Sequence, residues 1–121
     1  MSDDTESFQI GEKLMDMMVY AYPALAQFPK SEKFGLAVDI KKQMDEILGL
    51  AISARKKYTK LTTIQNMDIA NEKLKFYIRL AMRLNFLSMH KYEVWEGMIV
   101  EIGKMIGGWL KTVNSRSDHR G

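Results

Sequence analysis

Cysteine is absent from this chain, which excludes a disulfide framework, a thiolate nucleophile and a cysteine-bound metal. Such a sequence suits a reducing cytoplasm. Histidine occurs only at His90 and His119. His90-Lys91-Tyr92-Glu93 reverses the Glu-x-x-His order of di-metal helix bundles and occurs once, so no metal site is expected. Nothing orders the Ser, His and Asp residues into a catalytic triad. No apolar run approaches the roughly 18 residues that a membrane span needs. The acidic start, Met1 to Glu6, is not a signal peptide. Strand-like alternation, low-complexity blocks and internal repeats are also missing. With no strand to precede it, Gly107-Gly108 is no dinucleotide fingerprint. These absences leave a non-catalytic chain without a cofactor.

What is present is helical periodicity, over 121 residues that make one domain. The organising stretch is Tyr92–Lys111. Trp95, Ile99, Ile102, Ile106, Trp109 and Val113 recur at intervals of three or four, the spacing of one helix face. The same helix carries Gly97, Gly103, Gly107 and Gly108, each less favourable than alanine by about 1 kcal/mol. A surface without side chains permits close approach, so Gly103, Gly107, Gly108 and Trp109 are read as packing against another subunit. Glu93, Glu96, Glu101 and Lys104 exclude a span, so Gly103-xxx-Gly107 keeps only its steric meaning.

Taken in order, residues 1–7 read as a flexible acidic N-terminus. A first helix is predicted from Phe8 to Gln27, burying Ile10, Leu14, Met17, Met18, Ala21, Leu25 and Phe28, with Pro23 kinking it. Pro29 stops it, Ser31 is placed to cap the next helix, and Phe34 to pack over the corner. The second helix runs from Glu32 to Lys57 over Ala37, Ile40, Met44, Ile47, Ala51, Ala54 and Tyr58. Its end is basic, Arg55-Lys56-Lys57 followed by Lys60. That cluster has two readings: complement to the helix dipole, or phosphate contact. Thr62 or Thr63 should cap a third helix reaching Phe86, with Ile64, Met67, Leu74, Ile78, Ala81 and Leu84 inward. Phe76, Tyr77, Leu80, Met82, Phe86 and Leu87 extend its apolar arc, which implies burial on two sides, one of them another subunit. Ser88 is placed to cap a fourth helix from Met89 or Lys91 to Val113, and residues 114–121 read as a flexible tail. The ten methionines suit either a core or an adaptable groove. The expected fold is all-α, an up-down-up-down antiparallel four-helix bundle over residues 8–113.

Charge is uneven. Residues 1–16 hold five acids and one lysine, so residues 17–121 carry 17 bases against 10 acids, a net +7. A body of that charge attracts polyanions. Lys75, Arg79 and Arg83, at intervals of four, form a cationic ridge and are the first candidates for contact with nucleic acid or a protein partner. Lys91, Lys104 and Lys111 are the second.

Two stretches carry a resemblance. Phe28-Pro-Lys-Ser-Glu-Lys-Phe-Gly-Leu36 resembles the first corner of small bacterial four-helix-bundle proteins, among them proteins encoded within 23S ribosomal RNA intervening sequences. Glu101-Ile-Gly-Lys-Met-Ile-Gly-Gly-Trp-Leu-Lys111 resembles one branch of that group, the accessory variability determinant (Avd) of diversity-generating retroelements. The resemblance implies a cyclic homopentamer, bacterial or phage-encoded, without enzymatic activity. It further implies a reverse transcriptase partner and sequence-independent binding of RNA or DNA in support of mutagenic retrohoming. Two alternatives stand beside it: the ribosomal intervening-sequence branch, with an RNA-associated role, and a structural adaptor whose basic face meets an acidic protein.

Overall fold

A computed structural model describes residues 3–58 and 60–120, the last four by backbone alone. Its elements are α1 (Asp3–Ala26), a 3-10 turn (Lys30–Glu32), α2 (Leu36–Lys56), α3 (Leu61–Arg83) and α4 (Met89–Arg120). Both α1 and α3 pack on α2 and on α4, so α1 and α3 occupy one diagonal of a four-helix bundle. Contacts of α1 and the residue after it with α4 run Asp3–Arg116, Lys13–Glu101 and Gln27–Lys91. The numbering rises along one helix as it falls along the other, so the two are antiparallel.

The predicted stripes form the core. All six apolar positions from Trp95 to Val113 are buried, as are Ile10, Leu14, Met17, Ala21, Leu25 and Phe28 of the first helical pattern. Met18 packs against that core while only partly buried. In α2 the stripe holds except for Tyr58, which lies beyond the helix and is exposed. In α3 it holds except for Leu84, which is half exposed.

Four polar anchors tie the helices in a ring. Ser7 Oγ donates to Ala51 O at 3.0 Å, joining α1 to α2, and Gln43 Nε2 donates to Ala70 O at 2.9 Å, joining α2 to α3. Asn71 Nδ2 donates to Ile99 O at 3.0 Å, joining α3 to α4. Trp109 Nε1 closes the ring on Asp3 Oδ1 at 2.8 Å. Because each group is buried or nearly so, losing its partner would leave an unsatisfied polar atom in the interior.

The helix ends differ from expectation in ways that non-local contacts explain. The N-terminal segment is not free from residue 3 onward: α1 begins at Asp3, and Ser7 is buried. Likewise α4 continues past Val113 to Arg120, and Arg116 pairs with Asp3. Residues 1–2 and 121 lie outside the described residues, as does the side chain of His119. At the first corner, α2 starts at Leu36, its first N–H served by Glu32 Oε2 at 3.4 Å rather than by Ser31. Phe34 packs on nothing there and is 93% exposed. No side chain caps α3, whose N-cap is Lys60; Thr63 lies buried one turn inside. Ser88 does cap α4, its Oγ accepting from Lys91 N at 3.2 Å.

The α3 terminus stops short of Phe86 because Asn85 adopts a left-handed conformation, φ 62°. Phe86 N then donates to Ala81 O and Asn85 N to Met82 O. That paired closure is the usual end of a helix at glycine, here made by asparagine. Phe86 turns inward against Phe28, ring centroids 5.7 Å apart, and so joins the two corners at one end of the bundle.

Two apolar stripes remain uncovered by the protomer. Phe8, Met15, Val19 and Tyr22 lie along the outside of α1, and Ile69, Phe76, Leu80 and Leu84 along the outside of α3. All eight are between 44% and 77% exposed. Since α1 and α3 are diagonal, the stripes face opposite directions. Among the described residues no helix is long and apolar enough to cross a membrane.

Candidate nucleic-acid interface

The ridge rises from the inward stripe of α3. Leu74, Ile78 and Ala81 point into the core, which turns the positions next to them on the wheel toward α4 and solvent. Lys75 is half-buried there, and Arg79 and Arg83 are exposed. Among the described residues, none of the three has a carboxylate within ion-pair distance. Their charge is therefore available to a partner.

Lys75 and Arg79 line a cleft of about 300 Å³ between α3 and α4, together with Glu72, Phe76, Tyr92 and Glu96. Tyr92 donates its phenolic hydrogen to Glu96 across one turn of α4. That bond, then burial, then the charge of Glu96 raise the Tyr92 pKa, against the smaller opposing pull of Arg79 and Arg83. The phenol is thus held protonated, and one acid of the cleft is engaged within its own helix. The cleft mixes two acids with two bases, while the ridge beyond it, at Arg83, is purely cationic. An exposed Phe76 beside these cations adds an aromatic face.

The structure does not bring the second candidates to this ridge. Lys91 lies on the α1 side of α4, where its Nζ donates to Gln27 Oε1 at 3.0 Å. Lys104 and Lys111 are exposed two turns apart on the outer face of α4. The basic run after α2 serves structure: Lys60 Nζ donates to the carbonyls of Ala54, Arg55 and Lys57 at 2.9, 2.9 and 2.7 Å, closing the end of α2. Arg55 faces Asp4 at 3.9 Å.

The glycines divide into two kinds. At Gly103 an added Cβ would lie 3.3 Å from Asn71 Nδ2, so its close approach is to α3 of the same chain. At Gly97, Gly107 and Gly108 nothing lies within 4 Å. Gly107 and Gly108 therefore pack on nothing within the protomer. Trp109, read as a subunit contact, is fully buried in the protomer's own core.

Asp3 is the functional-looking residue that local sequence reading misses. Its carboxylate accepts from Trp109, from Arg116 Nη2 at 2.8 Å and Nη1 at 3.3 Å, and lies 3.7 Å from Lys60 Nζ. The Arg116 hydrogen bonds lower its pKa most, against the opposing effect of burial, and Trp109 adds to the lowering. Only acid clustering at positions 3, 4 and 6 hints at this in the sequence; the partners are distant along the chain. Among the described residues no cluster of His, Asp and Glu is placed to hold a metal ion.

No curated protein matches the chain. A family model described as bAvd-like matches residues 8–113, which takes in α2, α3 with its ridge, and most of α1 and α4, including the glycine-rich part of α4. With nearly the whole bundle inside that match, the chain belongs to the bAvd-like family.

Proposed function

We propose that this chain is a non-catalytic accessory protein of a diversity-generating retroelement. It binds the element's reverse transcriptase and nucleic acid, template RNA or cDNA, and so supports mutagenic retrohoming. Family membership supports the retroelement setting. The observation that carries the binding role is the unpaired ridge Lys75–Arg79–Arg83, three cations along about 12 Å of one helix. Backbone phosphates recur at comparable spacing, and no base-reading element accompanies the ridge, so recognition is sequence-independent and salt-sensitive.

The binding unit is a cyclic homo-oligomer, a pentamer on the family resemblance. Opposed apolar stripes on α1 and α3 favour a head-to-tail contact, in which α1 of one copy meets α3 of the next and repetition closes a ring. A ring multiplies each weak phosphate contact through avidity. Co-purification with the reverse transcriptase of its own retroelement, with and without RNA, tests the reading. A stable complex supports it. Loss of the polymerase under both conditions, with no affinity for RNA or DNA, defeats it.

A further inference from the structure

The ends of α2 and α4 and the first turn of α1 meet at one end of the bundle. Cations converge there: Arg55 and Lys60 from the α2 end and Arg116 from α4. Lys111, Thr112, Ser115 and Arg116 line a shallow hollow of about 430 Å³ on the outer side. Two different donors, the Arg116 guanidinium and the Trp109 indole N–H, point at one anion, the Asp3 carboxylate, while the Lys60 ammonium, its hydrogens given to the carbonyls that end α2, adds its charge from 3.7 Å. A fork of guanidinium donors is the arrangement that also recognises a phosphate oxygen pair. Asp4 lies over Arg55 in the same way, at 3.9 Å, with its own side chain 83% exposed. Both acids sit in the first turn of α1, where opening one turn breaks few backbone hydrogen bonds. Asp3, Asp4 and Arg116 all fall outside the segment 8–113 that the family model matches.

We infer that Asp3 and Asp4 are a built-in phosphate mimic. They fill a second nucleic-acid site whose donors are Arg116 and Arg55, with the charge of Lys60 behind them, and which backbone phosphates occupy once the first turn of α1 is displaced. This rests on the nucleic-acid reading above and adds to it a self-competition that weakens binding until a long polyanion arrives. A single phosphate gains little by exchanging with a tethered carboxylate. A strand already held on the ridge brings further phosphates at high local concentration, and its binding releases counterions that the carboxylates do not.

The test uses the full chain and a mixed-sequence single-stranded RNA across a salt series. Asp3→Asn with Asp4→Asn keeps the side-chain shapes, and the amide oxygen introduced at position 3 can still accept from Trp109. Glu12→Gln with Asp16→Asn, both exposed on the same helix, controls for net charge. The double variant at 3 and 4 is expected to bind several-fold more tightly than the control, with a salt slope steeper by roughly one to two phosphate contacts. Adding Arg116→Gln should cancel that gain. In the wild type, the Trp109 indole N–H resonance should shift on RNA titration as Asp3 leaves it, a readout that needs no variant should Asp3→Asn unfold the chain. If RNA binds, but the two double variants bind alike and the Trp109 resonance stays fixed, the clasp is structural only and the inference falls while the ridge stands. If no RNA binding occurs in any variant, the inference and the nucleic-acid reading fall together.

Discussion

Asn71 crosses from α3 to the Ile99 carbonyl of α4 directly over Gly103, and a single methyl group at that glycine would stand 3.3 Å from the Asn71 amide nitrogen. A close approach that sequence reading assigns to a second subunit is thus made inside one chain. The pairing also explains why a helix accepts glycine there despite its poor propensity.

Glycine position therefore decides what alanine does. At Gly107, with nothing within 4 Å, Gly107→Ala should stabilise the protomer by up to about 1 kcal/mol. At Gly103 the same propensity gain is opposed by the Asn71 contact, so Gly103→Ala should fall short of Gly107→Ala by about 1 kcal/mol. Urea midpoints of the two variants decide the point; equal midpoints would mean that Asn71 gives way freely. Gly107→Leu, measured for oligomer size, separately asks whether that surface is a subunit contact.

Asn85 holds a left-handed backbone that a β-carbon disfavours by about 1–2 kcal/mol. Asparagine tolerates it better than most residues. Asn85→Val should lower stability by about 1–2 kcal/mol, while Asn85→Gly should match or exceed the wild type. Thermal melts of both variants provide the comparison.

Stability should also depend on acid through Asp3. Its folded pKa lies below the ordinary value, chiefly because Arg116 donates to the carboxylate. A depressed folded pKa means that the contribution is complete above the unfolded value of about 3.9 and is lost as pH falls below it. Wild type should therefore lose more stability than Asp3→Asn between about pH 6 and about pH 3, on either side of that value. Denaturant midpoints at both pH values for both proteins check it, and parallel losses would remove Asp3 from the account.

The diagonal apolar stripes make a sharp statement about assembly. Val19→Glu on α1 and Leu80→Glu on α3 should each reduce the oligomer without loss of helicity, since both side chains are exposed in the protomer. Mixed together, the two variants retain one intact complementary face and should form a one-to-one dimer, the outcome a head-to-tail contact requires. Light scattering of each variant and of the mixture reads this directly. A wild-type mass of 14.0 kDa at micromolar concentration would exclude assembly altogether.

Replacing Lys75, Arg79 and Arg83 together by alanine should leave the melting temperature nearly unchanged, because none of the three is in the core or in an ion pair among the described residues. It should weaken RNA and DNA alike and reduce the salt slope by about 2–3. Titration of both nucleic acids across a salt series is the measurement; unchanged slopes would make the ridge a solvated face.

The core was legible because helical burial is written in local spacing. Six positions from Trp95 to Val113 and six from Ala37 to Ala54 all lie inside. The ends were not legible, because their causes are distant. Asp3 becomes helical beside Arg116 and Trp109, more than 100 residues away, and no window around Met1 contains that information. Asn85 ends α3 by a conformation that sequence reading assigns first to glycine. The ridge was visible as spacing, but its freedom from ion pairs and the mixed charge of the adjoining cleft required the placement of Glu72, Tyr92 and Glu96. The outer stripe of α1 has core-like spacing interrupted by Glu12, so it is hard to separate from an ordinary exposed face.

The four polar anchors have a mechanical meaning. Each joins a different pair of neighbouring helices, and every helix belongs to two of them. A helix that slid by one turn, about 5.4 Å, would have to release both of its anchors at once, even where its apolar stripe found new partners. Hydrophobic packing alone is forgiving of such axial slippage; this ring is not. The bundle thus carries its own vernier, which sets how far each helix stands relative to its neighbours and keeps the α3 cations at a fixed height against α4.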